Sequence, residues 1–493
     1  MHTHRLAIDP IPAESLYHRL GQPSPFFLLE SLSVSERFGR LSLAGHDPCL
    51  ELKADDTHCT LRLLNARGGQ YLEFARTYFA PYIVESDAEQ LVLGMARQPY
   101  VGEEDGRLQQ LNTAQVIRQL LQQFHTEEKS FAGLYGALAY RFVYLFEDIP
   151  WQHKTAVPHF HLFLYDSFVF FDHLSHTCQI QCTRATAAEA EAACGELAAQ
   201  VARHVPHSPR PCQLQDPQFT PSEADFIQQV EDAKELFRSG ELMEIVLCRR
   251  LQARLIGQPY DLYLAYRTHN PSPYLFYFDM GGAEQLIGAS PEMMLRHENG
   301  KVVLRPISGT APRGKTPMED HDNMMRLLNS SKEKAELDML IDLGRNDLAR
   351  ICEPGVAIED YRYVEKYKRV MHTVAQVSGT LQAGKTGLDA LIASLNAGTL
   401  TGAPKLAAMK YIEQMEPFAR GYYGGVAGYL ALSGEVDTGI IIRSAHIRQG
   451  MLEYHSGATL LIDCEPAYEL NETRIKAQAF MDLFEPTETP ATT

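Results

Sequence analysis

Glu333 and Glu336 stand three positions apart in a stretch from Lys332 onward that reads as helix, so their carboxylates share one face. The segment "PAYELNETRIKAQ" repeats the arrangement with Glu469 and Glu472 and adds Lys476 one turn further on. Two such pairs, brought together from helices distant in sequence, suit Mg2+, a hard cation that takes a few carboxylates and leaves positions open for an anionic ligand. Exposed glutamates on a solvated helix face have the same spacing, and at this level both readings stand. Arg443 closes the apolar strand "DTGIIIRSAHI". A charge there is either a buried ion-pair partner or an anion receptor, and its planar fork suits a carboxylate. Tyr423 in "GYYGGVAGY" and the backbone around Gly457 in "HSGAT" offer neutral donors. Glu292 in "IGASPEMML" and His372 in "KRVMHTVAQ" complete the acid–base candidates. Taken singly, each reads first as a structural residue.

The stretch "RPISGTAPRGKT" carries Gly309, four residues, then Gly314-Lys315-Thr316, the spacing of a phosphate-cradling P-loop. The upstream "KVVLRPIS" supplies the strand such a loop follows. Downstream, Pro312 removes one donor, and Pro317 is followed by the acidic "MEDHDN", which repels phosphate where the helix should receive it. A glycine-rich turn carrying some other ligand is therefore the expectation.

The elements that must position these groups come from a chain with 45% hydrophobic and 22% charged residues, the balance of a globular protein. Its 45 Lys+Arg against 62 Asp+Glu, a net charge of −17 with no basic stripe, exclude a nucleic-acid partner. The opening "MHTHRLAIDP" has no apolar core of a signal peptide and no run approaches about 18 apolar residues, so the expectation is a cytoplasmic protein with no membrane span. Nine scattered cysteines suit reduced thiols.

Five prolines between about 203 and 221 mark a connection. The reading is residues 1–205, a connection at 206–221, residues 222–486, and a disordered tail at 487–493. Thr220, Pro221 and Glu223 read as a capping box that starts a helix. Long helices are expected over 318–350, 386–396, 402–415 and 467–484. The strands arrive in runs with turn-type links, which predicts an α+β fold with a large mixed, mostly antiparallel sheet rather than alternating βαβ units.

Together, "IGASPE", "PISGT", "ELDMLIDLGRNDLARI", "VMHTV", "GTLTGAPK", "YYGGVAGY", "DTGIIIRSA" and "NETRIKA" resemble the chorismate-utilising enzyme family, and within it the large subunit of anthranilate synthase. "FFLLES" and "NPSPYLF" look like the two halves of that subunit's tryptophan inhibitor site. The resemblance implies one large α/β body with an antiparallel sandwich flanked by helices, so that the Pro-rich stretch divides sequence more than folding units. It implies that Glu336 and Glu472 ligate Mg2+, with Glu333 and Glu469 beside it, and that Gly309 and Thr310 contact chorismate. Tyr423, Arg443, Lys476 and the Gly457–Ala458–Thr459 backbone would hold the substrate. Thr399 would line the site, Glu292 would be the general acid for the departing 4-hydroxyl, and His372 would position the reaction. Leu29, Glu30 and Ser31, with Pro273, Tyr274 and Leu275, would bind tryptophan.

The implied reaction is amination of chorismate at C2 with loss of water from C4, then loss of pyruvate to give anthranilate, the first step of tryptophan biosynthesis. Isochorismate and salicylate synthases, which it resembles, carry a lysine where this chain has Glu244, and aminodeoxychorismate synthases carry one where it has Ser308. Attack by ammonia itself is what remains. No glutaminase segment is evident, so a separate amidotransferase subunit is expected to supply the ammonia. Glu244 in place of glutamine, Ala311 in place of arginine and Thr459 in place of glycine depart from the family pattern. They keep open a synthase that stops at 2-amino-2-deoxyisochorismate, and, from another class, a catalytically silent tryptophan-sensing protein.

Overall fold

The computed structural model describes residues 1–22, 24–32, 41–97, 102, 104–367 and 370–484. The tail expected to be disordered, 487–493, lies outside them. Two sheets, of 12 and 13 strands among the described residues, make up the body, and every paired strand runs antiparallel to its neighbour. This is the α+β, mostly antiparallel architecture that the runs of strands predict. No helix among the described residues is long and apolar enough to cross a membrane.

One buried cluster draws Phe27, Phe276 and Phe278 from the first sheet and Tyr135, Phe163 and Tyr165 from the second. Phe27 stacks on Tyr135 with centroids 4.4 Å apart and planes at 10°, so aromatic side chains on the two inner faces close the sandwich.

Both sheets are laced from both ends of the chain. In the first, Phe26–Glu30 pairs with Tyr274–Asp279; in the second, Gly133–Leu138 pairs with Val426–Ala431. Within the Pro-rich stretch, Gln213–Thr220 is itself a strand, paired with Glu244–Ile256. That pairing explains why the helix does not start where the capping box suggests. Thr220 is held in the ladder opposite Arg250, and Ser222 instead accepts the Asp225 N–H and caps Glu223–Arg238.

The long helix expected over 318–350 is two, Pro317–Asn329 and Ser331–Ala349. Ser330 turns extended between them and accepts the Glu333 N–H, because a serine side chain competes for backbone donors and favours a cap over a helix interior. The break sets Glu333 in the first turn of the second helix, on the same face as Glu336. Pro466–Met481 carries Glu469 and Glu472, with proline where a missing N–H costs nothing.

Candidate active site

The two acidic helix faces meet. Burial raises the Glu336 carboxyl, and the Glu333 charge raises it further; the Ser308 hydroxyl nearby opposes this, and Glu472 on the other helix adds to the rise. Glu469 is pushed up to about 7, first by burial and then by Glu472, with Glu336 contributing. One oxygen of Glu469 is buried with no hydrogen-bond partner. Lys476 Nζ reaches Glu472 at 2.6 Å and donates to the Gly457 carbonyl at 2.8 Å. Among the described residues no three His, Cys, Asp or Glu side chains form a ready-made metal cage. The arrangement is a set of mutually repelling carboxylates, one with an orphaned oxygen, and this donor set fits a hard divalent cation.

Glu244 opens the strand Glu244–Ile256 at 2% exposure, with one carboxyl oxygen unpartnered. Burial, helped by the Glu336 charge, pushes it up to about 8, so near neutral pH it is a carboxylic acid, closer in charge to glutamine than its name suggests.

Across from the acidic faces, the strand Ile307–Pro312 pairs with Val370–Thr380, setting Thr310 opposite His372. His372 Nδ1 lies 3.0 Å from both Thr310 Oγ1 and the Gly309 carbonyl; the carbonyl can only accept, so Nδ1 carries the proton and Nε2 is the free nitrogen. Burial lowers the His372 pKa, the Gly309 carbonyl opposes this, and Arg443 lowers it again, so the imidazole is neutral. Gly309 sits at φ +73°, a left-handed backbone that favours glycine, and a Cβ there would come 2.7 Å from a Glu333 carboxyl oxygen, which would have to swing aside.

The P-loop likeness is settled by local carboxylates. Thr316 caps the following helix, Glu319 accepts the Lys315 N–H at 2.9 Å, and Asp320 accepts the Gly314 N–H at 2.9 Å and Arg313 Nε at 2.7 Å. Donors that would cradle a phosphate are already engaged.

Burial holds the Glu292 carboxyl up at about 7, against the pull of Thr399 and Lys476. Thr399 Oγ1 donates to it at 2.9 Å. Arg443 takes a left-handed backbone at φ +50°; its carbonyl accepts from the Tyr266 hydroxyl at 3.0 Å and the Ala289 N–H at 3.1 Å. Its guanidinium is partly exposed and has no ion-pair partner among the described residues. Tyr423 stacks on His455 at 5.0 Å, and its hydroxyl sits where a Cβ on Gly457 would come within 2.8 Å. Ala458 turns its methyl into the core beside Phe226 and Leu247, so only its backbone belongs to the site; Thr459, opposite Val246, is half-buried.

Hydrogen bonds and close approaches join Thr399 to Glu292, Lys476 to Glu472 and Gly457, Gly457 to Tyr423, and Glu333 through Gly309 to Thr310 and His372, while Glu292 feels the charge of Lys476 and His372 that of Arg443. Sequence reasoning missed that the Ser308 hydroxyl lies near Glu336, and the edge contact of the Tyr367 ring with His372 at 5.5 Å. A hydroxyl facing an acidic helix across a sheet edge has no local sequence signal.

The segments resembling an inhibitor site are also brought together. Leu275 pairs with Glu30, and the Leu32 N–H donates to the Ser272 carbonyl at 3.1 Å. Glu30 accepts from the Tyr263 hydroxyl at 2.5 Å and from Arg267 at 2.6 and 2.9 Å.

A carboxylate floor, a guanidinium and a buried acid stand on an antiparallel two-sheet frame, groups whose charges suit a small anion and a cation together. Residues 70–482 match the family described as chorismate binding enzyme, and the chain belongs to it. Over 486 residues, 97% of its length, it is 34% identical to an anthranilate synthase of Azospirillum brasilense, covering 65% of that protein. Over 251 residues it is 46% identical to anthranilate synthase component 1 of Neisseria meningitidis serogroup B, covering 51% of each chain. The match thus spans less than two-thirds of either relative's length. The fold superposes on the crystal structure of anthranilate synthase component I from Streptococcus pneumoniae TIGR4 with a TM-score of 0.71 at 28% identity, over 90% of this chain and 92% of that one. Menaquinone-specific isochorismate synthase from Escherichia coli shares the fold at a TM-score of 0.70 and 17% identity, over 98% of this chain and 94% of that one.

Proposed function

We propose that this chain is the large subunit of an anthranilate synthase, converting chorismate and ammonia to anthranilate, pyruvate and water. The observation that carries the reading is the meeting of the Glu333/Glu336 and Glu469/Glu472 faces in a site where Arg443, with no ion-pair partner among the described residues, acts on His372. Glu336 and Glu472 would hold Mg2+, with Glu333 and Glu469 beside it; the ion would neutralise a substrate carboxylate and withdraw electrons from the ring. Arg443 takes a carboxylate through its fork, Tyr423 and Lys476 add donors, and the Gly309 turn lets backbone approach the ring. Glu292, held up at about 7, keeps a substantial share of its carboxylic acid form near neutral pH and gives its proton to the 4-hydroxyl, which leaves as water while ammonia bonds to C2. Neutral His372, held by Gly309 and Thr310, presents Nε2 for the proton moved in the loss of pyruvate. Neither Glu244 nor Ser308 can deliver a lysine-activated nucleophile, which favours ammonia, supplied by a separate glutamine amidotransferase subunit.

Tryptophan would bind along the seam of Leu29, Glu30 and Ser31 with Pro273, Tyr274 and Leu275 and inhibit. Ser31→Ala is expected to relax inhibition while sparing turnover; undiminished inhibition removes the regulatory part of the reading.

The deciding test is incubation with chorismate, Mg2+ and an ammonium salt, followed by fluorescence and chromatography. Fluorescent anthranilate is the expected product. A non-fluorescent amino product points to a synthase that keeps the enolpyruvyl group, and untouched chorismate rejects the enzymatic reading.

A further inference from the structure

Behind Glu292 lies a cavity whose wall includes Glu292, Thr399, Asp347, Ser394, Leu340 and Leu343. Its polar lining falls into two groups. Glu292 with Thr399 is one; the other is Asp347, whose Oδ2 is 2.7 Å from Lys405 Nζ, which also donates to the Ser394 carbonyl at 3.0 Å. Arg305, also on the wall, is engaged by Glu365 at 2.7 Å and Tyr363 at 3.0 Å. Glu336, Glu472, Arg443 and His372 take no part in this lining.

We propose that this cavity is the proton route that re-arms Glu292 between turnovers, with Asp347 as its relay residue. The inference rests on the reaction proposed above, in which Glu292 parts with one proton each time water leaves C4. Anthranilate leaves as a neutral arylamine, so the ammonium formed at C2 gives its extra proton to solvent on the side where ammonia enters, and the Glu292 carboxylate regains one from bulk water on its own side. Glu292 is only 8% exposed, and a bound ligand closes the side facing the metal helices. The cavity reaches the acid but none of the groups that hold the ring, so protons, not the nucleophile, are its cargo. Leu343 is partly exposed between the exposed Asp342 and Arg345, which gives the cavity an outer lip. A proton taken up there by the Asp347 carboxylate passes through cavity water to Glu292, and Asp347 ends as it began. Burial raises the Asp347 pKa against Lys405 and Arg350, which suits a carboxylate that holds a proton briefly.

The test compares the first turnover with later ones in rapid-mixing experiments with chorismate, Mg2+ and ammonium. In Asp347→Asn the first turnover, drawn on a Glu292 already protonated, is expected at the wild-type rate, and the steady-state kcat to fall about ten-fold or more, leaving a burst of one product per site. KM for chorismate should stay within about two-fold and Asp347→Glu should recover most of the rate. An unchanged kcat, or first and later turnovers slowed equally, overturns the relay; the latter is what a purely structural Asp347–Lys405 pair gives. Should Asp347→Asn not fold, Leu343→Phe, which narrows the lip with Asp347 intact, decides by the same burst: its presence supports the route and its absence overturns it. A wild-type chain that leaves chorismate untouched rejects the parent reading and the relay with it, whereas an active wild type beside a burst-free Asp347→Asn rejects the relay alone.

Discussion

Glu30 and Glu469 are buried to nearly the same degree, 3% and 5% exposed, and yet their surroundings are opposite. Glu30 accepts three hydrogen bonds, two from Arg267 and one from Tyr263, and so ties the strand Phe26–Glu30 to the helix Pro259–His269. Glu469 has an orphaned oxygen and sits where Glu472 and Glu336 repel it. Desolvating a carboxylate is costly in either place. At Glu30 the protein offsets that cost itself, so the group is part of the frame. At Glu469 the protein offers no such offset and the carboxyl is pushed up to about 7 instead, the kind of perturbation that the metal assignment proposed above would relieve.

The comparison can be broken most forcefully from the frame side. Arg267→Met strands Glu30 without its cation and should lower stability by about 4 kcal/mol in urea unfolding, leaving turnover intact wherever the protein is folded. A change under about 1 kcal/mol would mean that the pair is not structural glue. Next, Glu472→Gln removes the charge that repels Glu469 and Glu336, leaving Lys476 its bond to the Gly457 carbonyl; kcat with Mg2+ should fall on the order of 100-fold while stability changes by less than about 1 kcal/mol. Wild-type rates with the usual metal dependence would contradict the metal assignment.

The third prediction sharpens the contrast through pH. Glu244 titrates near 4.5 when unperturbed and is pushed up to about 8 in the fold. Between those values the folded state holds a proton that the unfolded chain releases, so this contribution is full below the lower value and is lost as pH rises through the upper one. Metal-free protein should therefore unfold more easily at about pH 9 than at about pH 6, and the stability gained by Glu244→Gln over wild type should be larger at the higher pH by on the order of 3 kcal/mol. Equal stabilities of the two proteins at both pH values would show Glu244 ionised and paired. Conserved turnover in Glu244→Gln would mark the carboxylic acid as a stand-in for an amide; lost turnover would give it a catalytic task.

How much of this was legible in the sequence follows the range of the interactions. The i, i+3 pairs Glu333/Glu336 and Glu469/Glu472 are local, so their faces could be read directly; that the two faces meet could be inferred only from the family resemblance. Caps decided by a tie between neighbours were misread: Thr220 lost to Ser222 because a distant strand claimed its backbone, and Ser330 split a continuous helical pattern. Asp347 carried no signal, since an acid one residue before Leu348 on a helix reads as surface until Lys405, far along the chain, comes within 2.7 Å. Glu244 looked like an added charge, and only its burial shows it to be neutral near pH 7.

The lacing of both sheets from both ends of the chain bears on how the protein is made. When the ribosome has produced residues up to the Pro-rich stretch, Phe26–Glu30 and Gly133–Leu138 each still lack the later strand that flanks them, Tyr274–Asp279 and Val426–Ala431. Open, aromatic-rich edges of this kind are sticky, and the nascent first half has no way to close them alone. Translation must run past Ala431 before the last of these edges is covered, so both sheets are completed only near the end of synthesis.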